Sequence, residues 1–341
     1  MRMLLICVLA AAAGVVGAQP SANEQLTIYE LNRARANPQR YAQENGLGNL
    51  LATVAPAKPL AVNNLLVQSA RLKAGEMAQG NYASHQSAVT GKWPNDIVRD
   101  TGYPLNAGFH ASMNECESIA GGHANLLIAL RDLIHDEGIN PPYHQEHLLS
   151  CGPNYAWWDF HREIGVGYAY NEGADYRRYY AIHTAFRVTS KPLLTGVAFN
   201  DANGNQRMDP GEAIAGATVS ANNGTLNLQA TTNAGGGWAI EVDAGNWTVS
   251  CTGGTFAGSS SAAVVVAGDN IEVDFHSGDA AAEVAFSRQV ITTPPDLGFW
   301  GKKGGSSWNM GGCSTSEQAA PVALAALLIS LWLTLRRRTA S

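Results

Sequence analysis

Charge is scarce in this chain. Asp, Glu, Lys and Arg make up 15% of its 341 residues, against roughly 25% in an average soluble domain. The balance is acidic, with a formal net charge of -6, which argues against a nucleic-acid binder held by phosphate contacts. The 36 glycines follow no three-residue period, so collagen is excluded. No G-x-S-x-G elbow and no H-E-x-x-H occurs, which removes the two most readable hydrolase signatures. Cysteine is sparse: of five, Cys7 and Cys313 fall in terminal segments, leaving Cys116, Cys151 and Cys251 in the body. What is present is unevenly placed. Eight of the nine histidines precede position 190, and only His276 follows it.

The length leaves room for about two domains. Residues 1–18 combine Arg2, an apolar run from Met3 to Ala13 and the small residues Val16, Gly17 and Ala18, the pattern of a cleaved secretory signal. At the other end, Gly311-Gly312-Cys313 and a polar spacer precede an apolar run from Ala319 to Leu335, then Arg336, Arg337 and Arg338. As a helix that run reaches roughly 25 Å, enough to cross a bilayer with the arginines cytoplasmic. Residues 313–338 resemble bacterial sorting signals of the GlyGly-CTERM and MYXO-CTERM kind, which implies transient membrane anchoring and a processing protease. A permanent single-pass tail anchor is the alternative. Export predicts a cell-surface or extracellular location and permits disulfides, and Cys116 and Cys151 bracket the His-rich segment as the natural pair.

Residues 23–190 read as helices followed by a hairpin, an α+β domain. A helix over 24–35 has Asn23 placed to cap it and Pro38 ending the stretch. A second starts after Asn63 and Asn64, with Leu66, Ala70, Ala74 and Met77 on one face, and Leu126 to Ile134 forms a third. Ile164, Val166, Tyr168 and Tyr170 alternate with Gly165, Gly167 and Ala169, and Ile182, Thr184 and Phe186 continue the period of two after a turn.

The blocks LNRARANPQRYA (31–42), LLVQSARLKAGEMAQGNYASH (65–85), ESIAGG (117–122), YHQEHLL (143–149) and HREIGVGYAY (161–170) occur in that order. Together they resemble the CAP superfamily, the SCP-like extracellular domain, nearest its bacterial branch. The resemblance covers about half the chain and implies an α-β-α sandwich with a cleft lined by two His and two acids. Block by block, these fall at His85, Glu117 and His144, with Asp136 as the second acid and Glu137 its rival. Tyr143-His144-Gln145 departs from the family's Gly-His-Arg context. Two imidazoles with carboxylates make a mixed N/O site suited to Zn²⁺ or a similar divalent ion, or to acid–base chemistry near neutral pH. Nothing nearby supplies a nucleophile. His110, His123, His135, His147, His161 and His183 are read as structural hydrogen-bonding residues.

Residues 191–276 turn to Gly, Ala, Thr and Asn, with short strands expected at 196–200, 217–221, 225–230, 238–242, 247–251, 264–266 and 271–275. Regular strand spacing without helical periodicity predicts an all-β sandwich. GVAFNDANGNQRMDPGEAIAGATV (196–219) and TTNAGGGWAIEVDAGNWTV (231–249) resemble the SdrD B-like and Cna B-like repeats of bacterial surface proteins, which implies an immunoglobulin-like sandwich. Asp201, Asn203, Asn205, Asp209 and Glu212 occupy positions 1, 3, 5, 9 and 12 of a calcium loop, with the Arg207 carbonyl at position 7. Position 6 holds Gln206 where such a loop wants Gly. The expected role of Ca²⁺ is structural. Residues 277–312 read as a linker, with 284–291 able to add one strand.

The function expected is a displayed binding module with a His/acid cleft taking a divalent metal and a lipid or envelope ligand. A metal-dependent hydrolase and an adhesin working through the β-domain are the alternatives.

Overall fold

Ser21, two residues ahead of Asn23, opens the first helix. In the computed structural model, which describes residues 18–152, 156–189 and 191–284, α1 spans Ala22–Ala36. The Ser21 hydroxyl accepts from the Glu24 amide, and the Glu24 carboxylate accepts from Ser21 N–H at 2.7 Å. This reciprocal box satisfies two helix-end groups where Asn23 alone would satisfy one. Pro38 begins a helix as well as following one. Asn37 caps α2 (Pro38–Glu44), with Pro38 in the first turn, where its missing N–H costs nothing. The expected helix after Asn63 is α3 (Asn64–Gly80), with Asn63 Oδ1 accepting from the Leu65 and Leu66 amides. The remaining helices are α4 (Pro94–Asp100), α5 (Leu126–His135) and α6 (Tyr143–Leu149).

Four strands make the first sheet: β1 (Ala61–Val62), β2 (Glu117–Gly121), β3 (Glu163–Tyr170) and β4 (Arg178–Ala185), in the order β1-β3-β4-β2. β3 and β4 form the antiparallel hairpin that the alternation predicts, and β2 is an edge strand paired antiparallel with β4. Helices cover both faces. Ile164, Val166, Tyr180 and Ile182 share a core with residues of α1, α5 and α6. On the other face Ile119, Tyr179 and Ala181 pack with Ala70, Ala74 and Met77 of α3. Gly165 and Gly167 let α3 lie directly on β3. A Cβ at Gly165 would stand 2.0 Å from the Leu66 carbonyl carbon, and one at Gly167 2.2 Å from that of Ala70.

The second part contains β5 (Leu193–Phe199), β6 (Thr218–Asn222), β7 (Asn227–Thr231), β8 (Gly237–Glu241), β9 (Gly245–Thr252), β10 (Ser259–Val266), β11 (Ile271–His276) and β12 (Glu283–Val284). They form two four-stranded sheets, β10-β9-β6-β7 and β12-β11-β5-β8. Val219, Val249 and Val264 from one sheet and Leu194, Trp238 and Phe275 from the other enclose a common core. The chain is thus mixed α/β, with six α-helices and three four-stranded sheets among the described residues, compatible with an α+β class. The seven expected strands appear with shifted ends. β12 pairs with β11, so residues 277–284 belong to this part instead of opening a linker. Residues 1–17, the rest of the linker and the C-terminal tail lie outside the described residues. Among the described residues no helix is long and apolar enough to cross a membrane.

The two parts share a buried boundary. Leu26 and Tyr29 of α1 pack with Val197 and Phe199 of β5 and with Met208. Arg207 reaches across to Glu30 and Glu44, both buried, and Arg33 pairs with the same two carboxylates. This explains why α1 buries Glu30, Asn32 and Arg33 instead of showing one apolar stripe.

The Cys116–Cys151 disulfide is a correction: both thiols are free. Cys116 is buried among Tyr103, Phe109 and Ala185, whereas Cys151 lies against the core that holds Leu148 and Leu149, with its thiol donating to Gln145 O at 3.7 Å. Placed in different cores, they do not meet. Burial pushes the Cys116 thiol well up, Cys151 to about 11 and Cys251 to about 12, so none is an activated nucleophile.

Candidate functional site

Glu117 opens the edge strand β2, and its side chain is fully buried. Two imidazoles hold it. His85 Nδ1 lies 2.8 Å from Oε1, and His183 Nε2 lies 2.9 Å from Oε2. Burial alone would raise this carboxyl, but hydrogen bonds from His183 and His85 and their charge hold it down to about 2. An ionised carboxylate only accepts, so each ring presents N–H to it. His85 therefore donates through Nδ1, and in its neutral form the ring keeps its lone pair on Nε2. Behind the pair, His183 Nδ1 meets Ser69 Oγ of α3 at 2.7 Å. Lys73, buried on the same helix, donates to His85 O at 2.9 Å and fixes the loop that carries the ring.

His144 is built the same way from the opposite helical layer. Asp136 Oδ1 meets its Nδ1 at 2.8 Å, and Asp136 Oδ2 accepts from its backbone N–H at 2.9 Å. Asp136 also closes α5 in the left-handed region, at φ 49°. Glu137, the rival, is 79% exposed and stands 3.8 Å from His135 instead. The His85 and His144 rings face each other at 6.3 Å between centroids, tilted by 37°. The His85 side chain keeps 17% of its exposure and that of His144 8%. The structure thus brings His85, Glu117, Asp136 and His144 together as two imidazole–carboxylate pairs.

His183, expected to be a structural hydrogen-bonding residue, has that role, and its partner Glu117 belongs to the expected site. It lies opposite Glu117 in the pairing of β2 with β4. His147 and His161 keep a structural role. Both share the Thr184 hydroxyl, at 2.6 and 2.5 Å, and His147 also meets Ser118 Oγ at 2.7 Å. Burial pushes His147 well below the usual imidazole range, helped by His161, and pushes His161 down to about 3, so both are neutral.

Among the described residues no group of three or more His, Cys, Asp and Glu is placed to hold a metal. The carboxylates of Glu117 and Asp136 are engaged by the Nδ1 atoms of His85 and His144. Zn–N distances of about 2.0–2.1 Å and a tetrahedral angle would set two ring centroids about 5 Å apart. The observed 6.3 Å asks the rings to close by about 1 Å. Two imidazole nitrogens suit a divalent ion in type, with solvent completing the coordination after the rings close.

In the 201–212 loop the acidic and amide side chains converge but bond to each other and to the backbone. Asp201 accepts from the Asn205 and Gln206 amides, and Glu212 from those of Ala202 and Asp209. Asn203 and Asn205 donate to Asp209 Oδ2 at 2.6 and 2.7 Å. Gln206 takes φ 59°, the left-handed turn for which Gly is usual. Burial, then the charges of Asp209 and Asp201, raise Glu212, against the Asp209 and Ala202 amides that lower it. The donors suit a hard cation in type, and entry would exchange the Asn N–H groups facing Asp209 for their oxygens. The Arg207 side chain leaves the loop for Glu30 at 2.8 Å, which sequence spacing could not show.

A cavity of about 640 Å³ opens elsewhere, lined by Arg35, Lys58, Gln145, Glu146, Cys151 and Asp159 among others, and none of His85, Glu117, Asp136 and His144 borders it.

No family model and no curated protein matches the chain. Among solved structures, one from Bacteroides uniformis, whose name provisionally assigns carbohydrate binding, is similar at 15% identity with a TM-score of 0.20. The match covers 26% of this chain and 41% of that one, less than half of either.

Proposed function

We propose that the chain is an exported, surface-anchored binding protein of the CAP type, with a weak divalent-metal site at His85 and His144. In this reading residues 23–190 are an α-β-α CAP sandwich, and residues 191–284 are an immunoglobulin-like sandwich of the SdrD B and Cna B kind. One observation carries the reading: two imidazoles from opposite helical layers face each other, each oriented through Nδ1 by its own carboxylate. The ion, when bound, would supply a Lewis-acidic point at the cleft. His85 and His144 would hold it, Glu117 and Asp136 would keep the rings in register, and His183 and Ser69 would keep Glu117 in place. The ligand class is a small apolar or envelope component. Ca²⁺ at Asp201, Asn203, Asn205, the Arg207 carbonyl, Asp209 and Glu212 would stiffen the β part.

The same imidazoles could serve as acid and base, so a hydrolase of peptide or envelope material is the competing reading. The thiols, all pushed up by burial, offer no nucleophile to it. Incubation with peptide and peptidoglycan libraries separates the two. Metal binding without turnover is the expected result, and turnover lost in His144→Ala would replace it with the hydrolase.

A further inference from the structure

β11 turns Val273 and Phe275 into the sandwich core, which puts Glu272, Asp274 and His276 on its other face. In an isolated sandwich that face would meet water. Here α1 and its neighbours cover it, and all three side chains are buried. Asn32 of α1 donates to Glu272 Oε1 at 3.2 Å, and Val197 N–H donates to Asp274 Oδ1 at 2.9 Å. Glu283 of β12 is buried beside them, with its Oε2 3.3 Å from His276 Nε2. The buried cations at this boundary are Arg33 and Arg207, and both are engaged by Glu30 and Glu44. Glu272 and Asp274 have no ion-pair partner among the described residues; their recorded partners are the Asn32 amide and the Val197 N–H. Two ionised carboxylates on one strand face would be neither paired nor hydrated there.

We propose that protons on Glu272 and Asp274 lock the β part onto α1, so that the two parts seat firmly in acid and loosen as the pH rises. The titratable groups facing these two acids are Tyr29, Glu30 and Arg33 from α1, Glu283 from β12 and His276 from β11 itself. β5 and β10 carry none. Burial first, and the Glu283 charge with it, pushes Glu272 up to about 7. Burial and the charges of Glu272 and Glu283 push Asp274 well above the carboxylate range. Exposed to water by opening, the same groups would titrate near 4.3 and 3.9. The lock is therefore complete below those values. It weakens through about pH 7 for Glu272, and Asp274, also raised, adds to the loss. Each acid that keeps its proton when closed multiplies the opening constant by up to about tenfold per pH unit within its window.

Hydrogen exchange of the full chain, followed by mass spectrometry from pH 5 to 8 and corrected for intrinsic chemical rates, reads that constant on peptides covering α1 and β11. In the wild type, opening is expected to rise at least about tenfold over the range. In E272Q/D274N, whose amides imitate the protonated acids, it is expected to stay level. E272Q alone, a milder change that keeps Asp274, is expected to show a shallower rise than the wild type. A level wild-type profile, or variants that keep the wild-type slope, would overturn the proposal.

Discussion

His85 and His144 stand with ring centroids 6.3 Å apart, although one follows α3 and the other begins α6. Neither ring is free to turn, because Glu117 and Asp136 each hold an Nδ1 at 2.8 Å. In the proposed site these fixed orientations would spare an ion or ligand the work of ordering the rings. His183 holds the other oxygen of Glu117 at 2.9 Å.

Gly165 is expected to tolerate no side chain. Its Cβ would meet the α3 backbone at 2.0 Å, and a helix cannot yield as a flexible side chain does. Gly165→Ala should cost at least about 3 kcal/mol, the upper part of the overpacking range. Gly173→Ala, where the nearest atom is a side-chain oxygen at 3.6 Å, is the control. Urea unfolding of both reads the difference.

Arg207→Met should destabilise the chain by about 3–5 kcal/mol, because it leaves Glu30 and Glu44 buried with one fewer cation. Adding Glu30→Gln should recover part of that loss, since the uncompensated charge goes with it. A double-mutant cycle in urea measures the coupling. Additive losses would mean that the buried network across the boundary contributes nothing as a unit.

Acid should weaken the first part through His161. Its folded value near 3 lies below the unfolded imidazole's 6.5, so the unfolded chain binds more protons between the two. The stability that the neutral ring supplies is present above pH 6.5 and is lost as pH falls toward 3, by up to about 1.4 kcal/mol per pH unit. Glu117, held at about 2, adds a loss below about pH 4.5. His161→Phe should make the slope between pH 6.5 and 3 shallower, with His147 and, below about pH 4.5, Glu117 supplying what remains. Stability curves at fixed ionic strength from pH 7 to 3 test this, and equal slopes in the two proteins would contradict it.

Calcium removal should lower the melting temperature of the β part without releasing the 201–212 loop. Excess Ca²⁺ at a hundred times its Kd is worth about 2.7 kcal/mol to the folded form. Arg207, held by Glu30 and Glu44, and Met208 N–H, which donates to the Tyr29 hydroxyl at 3.3 Å, still pin the loop without it. Calorimetry with EDTA, then with Ca²⁺ restored, checks the shift. An unmoved melting temperature would remove the structural cation.

Local signals were legible and distant ones were not. The Asn63 cap, the spacing of Leu66, Ala70, Ala74 and Met77, and the alternation along β3 depend on near neighbours in the chain, so periodicity reveals them. Pro38 follows the end of α1 as its position predicts, but it also opens α2, which the break signal alone does not reveal. Glu30, Asn32 and Arg33 look like the wet side of α1 until the β part covers them. Arg207 and Glu272 look equally ordinary on the facing surface. Cys116 and Cys151 invited pairing by position, yet separate cores keep them apart. His183 resembled any inward residue of a strand, and only the register of β2 against β4 sets it against Glu117.

The most direct measurement is calorimetric titration of Zn²⁺ into the wild type, His85→Ala, His144→Ala and the double variant near pH 7, repeated near pH 5. Weak binding in the wild type that each single substitution abolishes, and that falls at the lower pH as protons compete for the imidazoles, is the predicted result. Identical titrations for all four proteins would contradict a metal site at His85 and His144.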